Sequence, residues 1–172
     1  MKSVKEIATV AVFTALLIGG QLALSAVSGV EIVTVLLLSF SFYFGARLGM
    51  LGATAFSLLR CFVFGFFPSV LILYLIYYNL FALVFGFIGN RFGKEADMKK
   101  LIVITFIAVL MTVLFSLLDD VITPLFYGYT ADAAKAYFFA SFYAMIPQSV
   151  CAVVTTVLLF PPLLGIYKRV KI

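Results

Sequence analysis

Residues 68–90 read PSVLILYLIYYNLFALVFGFIGN, an apolar stretch that contains no charged residue. A helix needs about 20 such residues to cross the hydrocarbon core of a membrane, which is about 30 Å thick. The stretch is too long for a strand and lacks the period-two alternation of a membrane β-barrel. It therefore predicts a transmembrane helix.

Five further apolar runs are separated by charged residues. The runs cover residues 7–30, 32–46, 48–65, 101–118 and 136–167. Only the third run is interrupted, by Arg60. The first run is long enough to be a retained helix and not a signal peptide. Charged residues make up 11% of the chain, against about a quarter in a soluble domain. We therefore expect one domain, residues 1–172: an all-α integral membrane protein that forms a compact bundle of six transmembrane helices.

Turn and capping residues lie between the runs. Ser28-Gly29 separates the first run from the second, and Gly45 lies at the end of the second. Asp119 and Asp120 end the fifth run. Thr130 is placed to cap the sixth helix, with Asp132 in its first turn, where a negative charge suits the helix dipole.

The basic residues are distributed unevenly along the predicted topology. With the amino terminus inside, the inner helix ends carry ten of the twelve basic residues: Lys2, Lys5, Arg47, Arg91, Lys94, Lys99, Lys100, Lys168, Arg169 and Lys171. Only Arg60 and Lys135 remain for the outer side. Because cytoplasmic loops are rich in Lys and Arg, we expect both termini in the cytoplasm and a multi-pass protein of the cell membrane. The net charge of +5 reflects this topology, so no nucleic-acid partner is needed to explain it.

The strongly polar side chains converge on the outer half of the bilayer. Counting about 1.5 Å per residue from the inner charges places most of them in the outer half of the bilayer. A conduction path would need polar groups through the whole thickness, so the pattern favours a binding site for a small molecule over a pore. The predicted substrate-binding residues are Glu31, Thr34, Arg60, Tyr74, Tyr78, Asn79, Asp119, Asp120, Tyr127 and Gln148.

Structural alternatives exist for each of these residues. The three acids could be hydrated helix ends, the tyrosines an interfacial belt, and Asn79 and Gln148 contacts between helices. Arg60 lies too deep to be unpaired at low cost, so it pairs with an outer acid or with an anionic ligand group, or else it extends to the interface.

Small residues form a stripe on the first helix. Ala8, Ala11 and Ala15 lie on its cytoplasmic half, and this spacing permits close approach of another helix. The stripe could pack inside the bundle, against Gly49 and Ala53, or dock a partner protein. The spacing does not distinguish the two.

Nothing in the sequence indicates an enzyme or a bound cofactor. The chain contains no His, the commonest acid, base and metal ligand at neutral pH. Cys61 and Cys151 lie inside apolar runs, which is typical of core packing. We therefore predict no catalytic residue, metal or cofactor. Two alternatives remain: a self-sufficient secondary transporter, although no inverted repeat is visible, and an intramembrane enzyme with a metal at Asp119 and Asp120.

The whole chain resembles the substrate-binding S components of energy-coupling factor vitamin transporters. Besides the six short helices, the resemblance rests on four stretches. They are AVFTA (11–15), VEIVTVLLLSFSFYFGARLGMLGATAF (30–56), SLLDDVITPLFYGY (116–129) and VTTVLLFPPLLGIYKR (154–169).

The resemblance implies a bacterial importer subunit that binds a vitamin or related micronutrient from outside with high affinity. Its partners would be a membrane coupling protein, docked on the face of Ala8, Ala11 and Ala15, and two cytoplasmic ATPases. The subunit would topple in the membrane to release its cargo inside. The chain lacks the Trp and His that some thiamine-type binders use. Riboflavin-like, hydroxymethylpyrimidine-like, pantothenate-like and cobalamin-like cargoes remain open.

Overall fold

The computed structural model describes residues 4–27, 30–95 and 97–170. Within these ranges it consists of six α-helices without a strand, which confirms the all-helical prediction. The helices are α1 (Val4–Leu24), α2 (Val33–Phe44), α3 (Ala46–Phe64), α4 (Pro68–Phe92), α5 (Met98–Tyr127) and α6 (Ala131–Tyr167). The predicted turn at Ser28-Gly29, and Lys2 and Lys171 of the basic set, lie outside the described residues.

Five of these helices are long and apolar enough to cross a membrane, as expected of a multi-pass membrane protein. The exception is α2. It has 12 residues and is therefore about 18 Å long, which is shorter than the hydrocarbon core of about 30 Å. That α2 also spans the membrane therefore stays a prediction. The orientation of the termini stays a prediction.

α5 is longer than its apolar run of residues 101–118. It continues past Asp119 and Asp120 to Tyr127, within the stretch of residues 116–129 that resembles the end of the fifth helix. The helix can continue because side chains from α5 itself and from α6 donate hydrogen bonds to both carboxylates. The predicted cap of α6 is confirmed. The Thr130 hydroxyl accepts a hydrogen bond from the backbone N–H of Ala133, and Asp132 lies in the first turn.

The short helix α2 occupies the centre of the bundle. It packs against α1, α3, α4 and α6, and nearly all of its residues are buried. Phe40 stacks on Phe13 of α1 with ring centroids 3.8 Å apart, and Phe42 meets Phe160 of α6 edge to face at 5.2 Å. These aromatic contacts fix α2 between the long helices.

α4 approaches the junction between α2 and α3 very closely. A Cβ atom at Gly89 would collide with the backbone carbonyl of Phe42, and one at Gly86 would collide with the backbone of Ala46. The chain turns at this junction through Gly45, whose φ is +90°, a conformation that L side chains rarely adopt. The close approach holds the tyrosines of α4 beside the first turn of α2.

Candidate functional site

A small, partly open cavity lies beneath the connection between α1 and α2. Its volume is about 150 Å³. Five helices and the connection contribute its walls, so the site exists only in the assembled bundle. The lining residues are Gln21, Glu31, Val33, Thr34, Tyr74, Tyr77, Tyr78, Thr112, Phe115 and Gln148.

The walls of the cavity are largely aromatic. Tyr74 and Tyr78 are four residues apart and therefore share a face of α4. Their rings meet edge to face with centroids 4.9 Å apart, and Tyr77 meets Phe115 of α5 in the same way at 4.9 Å. All three tyrosines are buried. Such edge-to-face packing makes a rigid apolar wall with hydroxyl groups along it.

Among the described residues that line the cavity, Glu31 alone has a carboxylate. Its Oε2 accepts a hydrogen bond from the backbone N–H of Thr34, 2.9 Å away, in the first turn of α2. Glu31 lies in the connection before that helix, and burial raises the pKa of its carboxyl, an effect that the hydrogen bonds from Thr34 oppose. The carboxylate thus reaches the cavity from the amino-terminal end of α2, where the helix dipole favours a negative charge.

The thiol of Cys151 fastens the connection to α6. The Sγ atom accepts from the backbone N–H of Glu31 at 3.4 Å and donates to the carbonyl oxygen of Glu31 at 3.3 Å. Gln148, one turn earlier on α6, lines the cavity, and its Oε1 accepts a long hydrogen bond of 3.5 Å from Ser116. Hydrogen bonds to sulfur are weak, so these two bonds contribute little to holding Glu31 of the connection against α6.

Arg60 lies behind the cavity wall. Its Nε donates to Oε1 of Gln21 at 3.2 Å, and Nε2 of Gln21 donates to the hydroxyl of Tyr74 at 3.3 Å. The guanidinium carbon lies 4.6 Å from the ring centroid of Tyr74 and 5.0 Å from that of Phe64. Both distances are in the range of a cation–π contact. The predicted pairing with an outer acid is not formed among the described residues, whose ion pairs are Lys135 with Asp132 and Lys168 with Glu95.

The two adjacent aspartates form a separate cluster between α5 and α6. Asp119 accepts from the hydroxyls of Thr123 at 2.6 Å and Tyr137 at 2.7 Å. Asp120 accepts from the hydroxyl of Ser141 at 2.7 Å. Neither aspartate lines the cavity. Their position indicates that they join the outer parts of the two longest helices.

The structure therefore divides the predicted substrate-binding residues into two groups. Those that line the cavity are Glu31, Thr34, Tyr74, Tyr78 and Gln148. Asn79 lies instead in the groove between α3 and α4, where it accepts from Thr54 at 3.0 Å. Tyr127 is exposed at the end of α5. Their roles in binding stay predictions.

Some lining residues were not among the predicted substrate-binding residues. Gln21 belongs to the same outer depth as that set, which is the signal that could have added it. Thr112 and Phe115 lie three residues apart on α5, in a run without charge, and only the polar hydroxyl at this depth distinguishes Thr112. Nothing in the sequence marks Tyr77 apart from its neighbours.

The alanine stripe of α1 is not packed inside the chain. Ala8, Ala11 and Ala15 are all exposed. Ala11 and Ala15 line an apolar groove of about 530 Å³ between α1 and α3, whereas Ala8 faces a second groove on the other side of α1. Gly49 and Ala53 of α3 are buried against other parts of the bundle. The internal-packing alternative is therefore wrong for this arrangement.

No protein-family model, curated protein or solved structure matches the chain.

Proposed function

We propose that the chain is the membrane-embedded binding subunit of an importer of the energy-coupling factor type. It captures a vitamin or related micronutrient at the outer side of the cell membrane. The observation that carries the proposal is the cavity beneath the α1–α2 connection. A mostly apolar pocket with a few convergent polar groups is the usual form of a small-molecule site, and here aromatic walls meet Glu31, Gln21 and Gln148.

The connection above the cavity acts as its cover. Two weak hydrogen bonds to the sulfur of Cys151 join the backbone of Glu31 to α6. Closure over a bound solute excludes water and strengthens its polar contacts.

Transport needs an energy source outside this chain. The sequence has no G-x-x-x-x-G-K-[ST] element, whose backbone and lysine hold nucleotide phosphates in ATPases. The exposed face of Ala11 and Ala15 offers a helix of another membrane protein a close approach. The proposal therefore assigns this face to a coupling protein, which in turn joins two cytoplasmic ATPases.

Reconstitution tests the proposal. The tagged chain is purified from its own host in mild detergent, and its co-purifying proteins are identified. The complex and the solitary chain are then placed separately in liposomes. We expect a membrane protein and ATPases in the complex, and ATP-dependent uptake by the complex alone. Uptake driven by an ion gradient through the solitary chain would instead establish the secondary transporter, and failure of both preparations to bind or move a solute would refute the proposal.

A further inference from the structure

The carboxylate of Glu31 has no cationic partner within the described parts of the chain. Neither ion pair found there includes it. Its hydrogen bonds come from the backbone N–H groups of Thr34 and Val33 and from the side chain of Thr34. The rest of its surroundings are the phenol rings and amides of the cavity. Among the described lining residues, the only formal charge is therefore negative.

Arg60 contacts the lining residues Gln21 and Tyr74 but forms no ion pair with Glu31. Its guanidinium lies between the rings of Tyr74 and Phe64 and donates to Gln21. Because a guanidinium can only donate, it fixes the amide of Gln21 with its oxygen towards Arg60 and its NH₂ group towards Tyr74 and the cavity. The cavity therefore has a donor at the α1 side and an acceptor carboxylate at the connection.

The size and walls of the cavity restrict the solute further. An engineered protein cavity of about 150 Å³ holds one benzene molecule, and this cavity has the same volume. The rings of Tyr74, Tyr78 and Phe115 line this space. Aromatic rings attract cations. A volume of this size suits a molecule with a single ring.

We propose that the solute is a small organic cation: a molecule with a single ring and a protonated nitrogen that pairs with Glu31, and with an acceptor group towards Gln21. This inference rests on the proposed binding function and deepens it. The solute supplies a positive charge, which no described lining residue carries.

Matched pairs of probes test the charge requirement. Benzylamine and 4-picolylamine are compared with benzyl alcohol and 4-pyridinemethanol, which have the same ring and nearly the same shape but no charge at the substituent. Binding to the full chain in detergent is measured at neutral pH by calorimetry. We expect at least one amine to bind at least tenfold more tightly than its alcohol, and Glu31→Gln to remove that difference.

Asp119→Asn is the matched control, because it neutralises an acid that lies outside the cavity. It should keep the preference for the amine. If Glu31→Gln does not fold, the amine-to-alcohol ratio of the unaltered chain decides by itself. Equal binding of amine and alcohol, binding of neither amine, or a preference that survives Glu31→Gln would overturn the inference. A neutral or anionic solute identified on the purified protein would also overturn it, yet would leave the proposed binding function standing.

Discussion

Filling the cavity should weaken solute binding and raise the stability of the free protein. Thr112 of α5 lines the cavity, and its hydroxyl donates only to the carbonyl oxygen of Ala108 in its own helix, 3.0 Å away. That carbonyl already accepts a helical hydrogen bond, so Thr112→Leu loses little when the hydroxyl is removed. The additional carbons enter the cavity.

The cavity volume determines the size of both effects. Leu is larger than Thr by about 50 Å³, and at about 24 cal/mol per Å³ of cavity this stabilises the free protein by at most about 1.2 kcal/mol. For a chain of this length that raises the melting temperature by about 2–4 °C. A ring that must share the remaining space forces strained side chains, at about 1–3 kcal/mol. The dissociation constant should therefore rise about tenfold to a hundredfold.

Thr105→Leu is the matched control on the same helix, two turns nearer the amino-terminal end of α5. Thr105 lies in a shallow apolar groove between α5 and α6, and its hydroxyl has no hydrogen-bond partner. The helix propensity changes equally in both variants. Calorimetry and thermal unfolding in detergent should show weaker binding for Thr112→Leu alone. Unchanged affinity in Thr112→Leu, or an equal loss in both variants, would refute the assignment of this cavity.

Three further predictions follow from the structure. Gln148→Ala should weaken solute binding by about tenfold or more because it leaves a buried polar contact unmade. Asn79→Ala, outside the cavity, should change the affinity less than about threefold. A reversed order of the two affinities in titrations would contradict the site. Ala11→Trp should abolish energised uptake yet leave the dissociation constant unchanged, and loss of both would place this face in the fold itself. Gly89→Ala should destabilise the protein by about 1–3 kcal/mol or more, with Gly165→Ala, where a Cβ meets no neighbour within 4 Å, as the control in thermal unfolding.

Depth in the membrane could be predicted from the sequence because it depends only on the position along a helix. Counting from the inner charges predicted Tyr74 and Gln148 in the outer half of the bilayer, with Glu31 at the outer face, and the structure places all three around one cavity. The helix face could not be predicted in the same way. Asn79 follows Tyr78 directly, yet one residue turns a helix by about 100°, so its amide points to Thr54 of α3.

The aspartates and α2 show two further limits. Asp119 and Asp120 were predicted at the outer depth together with the other site residues, but they face the hydroxyls of α6 and not the cavity. This orientation depends on how α5 and α6 pack. The short length of α2 was visible in its run of residues 32–46. A helix that spans the membrane and a helix buried at the centre of a bundle are both apolar, so the sequence pattern alone did not distinguish them. Its place in the core emerges only from the contacts with four neighbouring helices.

Native mass spectrometry of the protein tests the central claim most directly. The chain is purified in mild detergent after exposure to an extract of its growth medium, beside the Thr112→Leu variant. The account predicts one small organic molecule bound to each unaltered chain, and its loss from the variant. A protein that carries no bound molecule, or the same molecule retained equally by the variant, would contradict a binding site in the cavity beneath the α1–α2 connection.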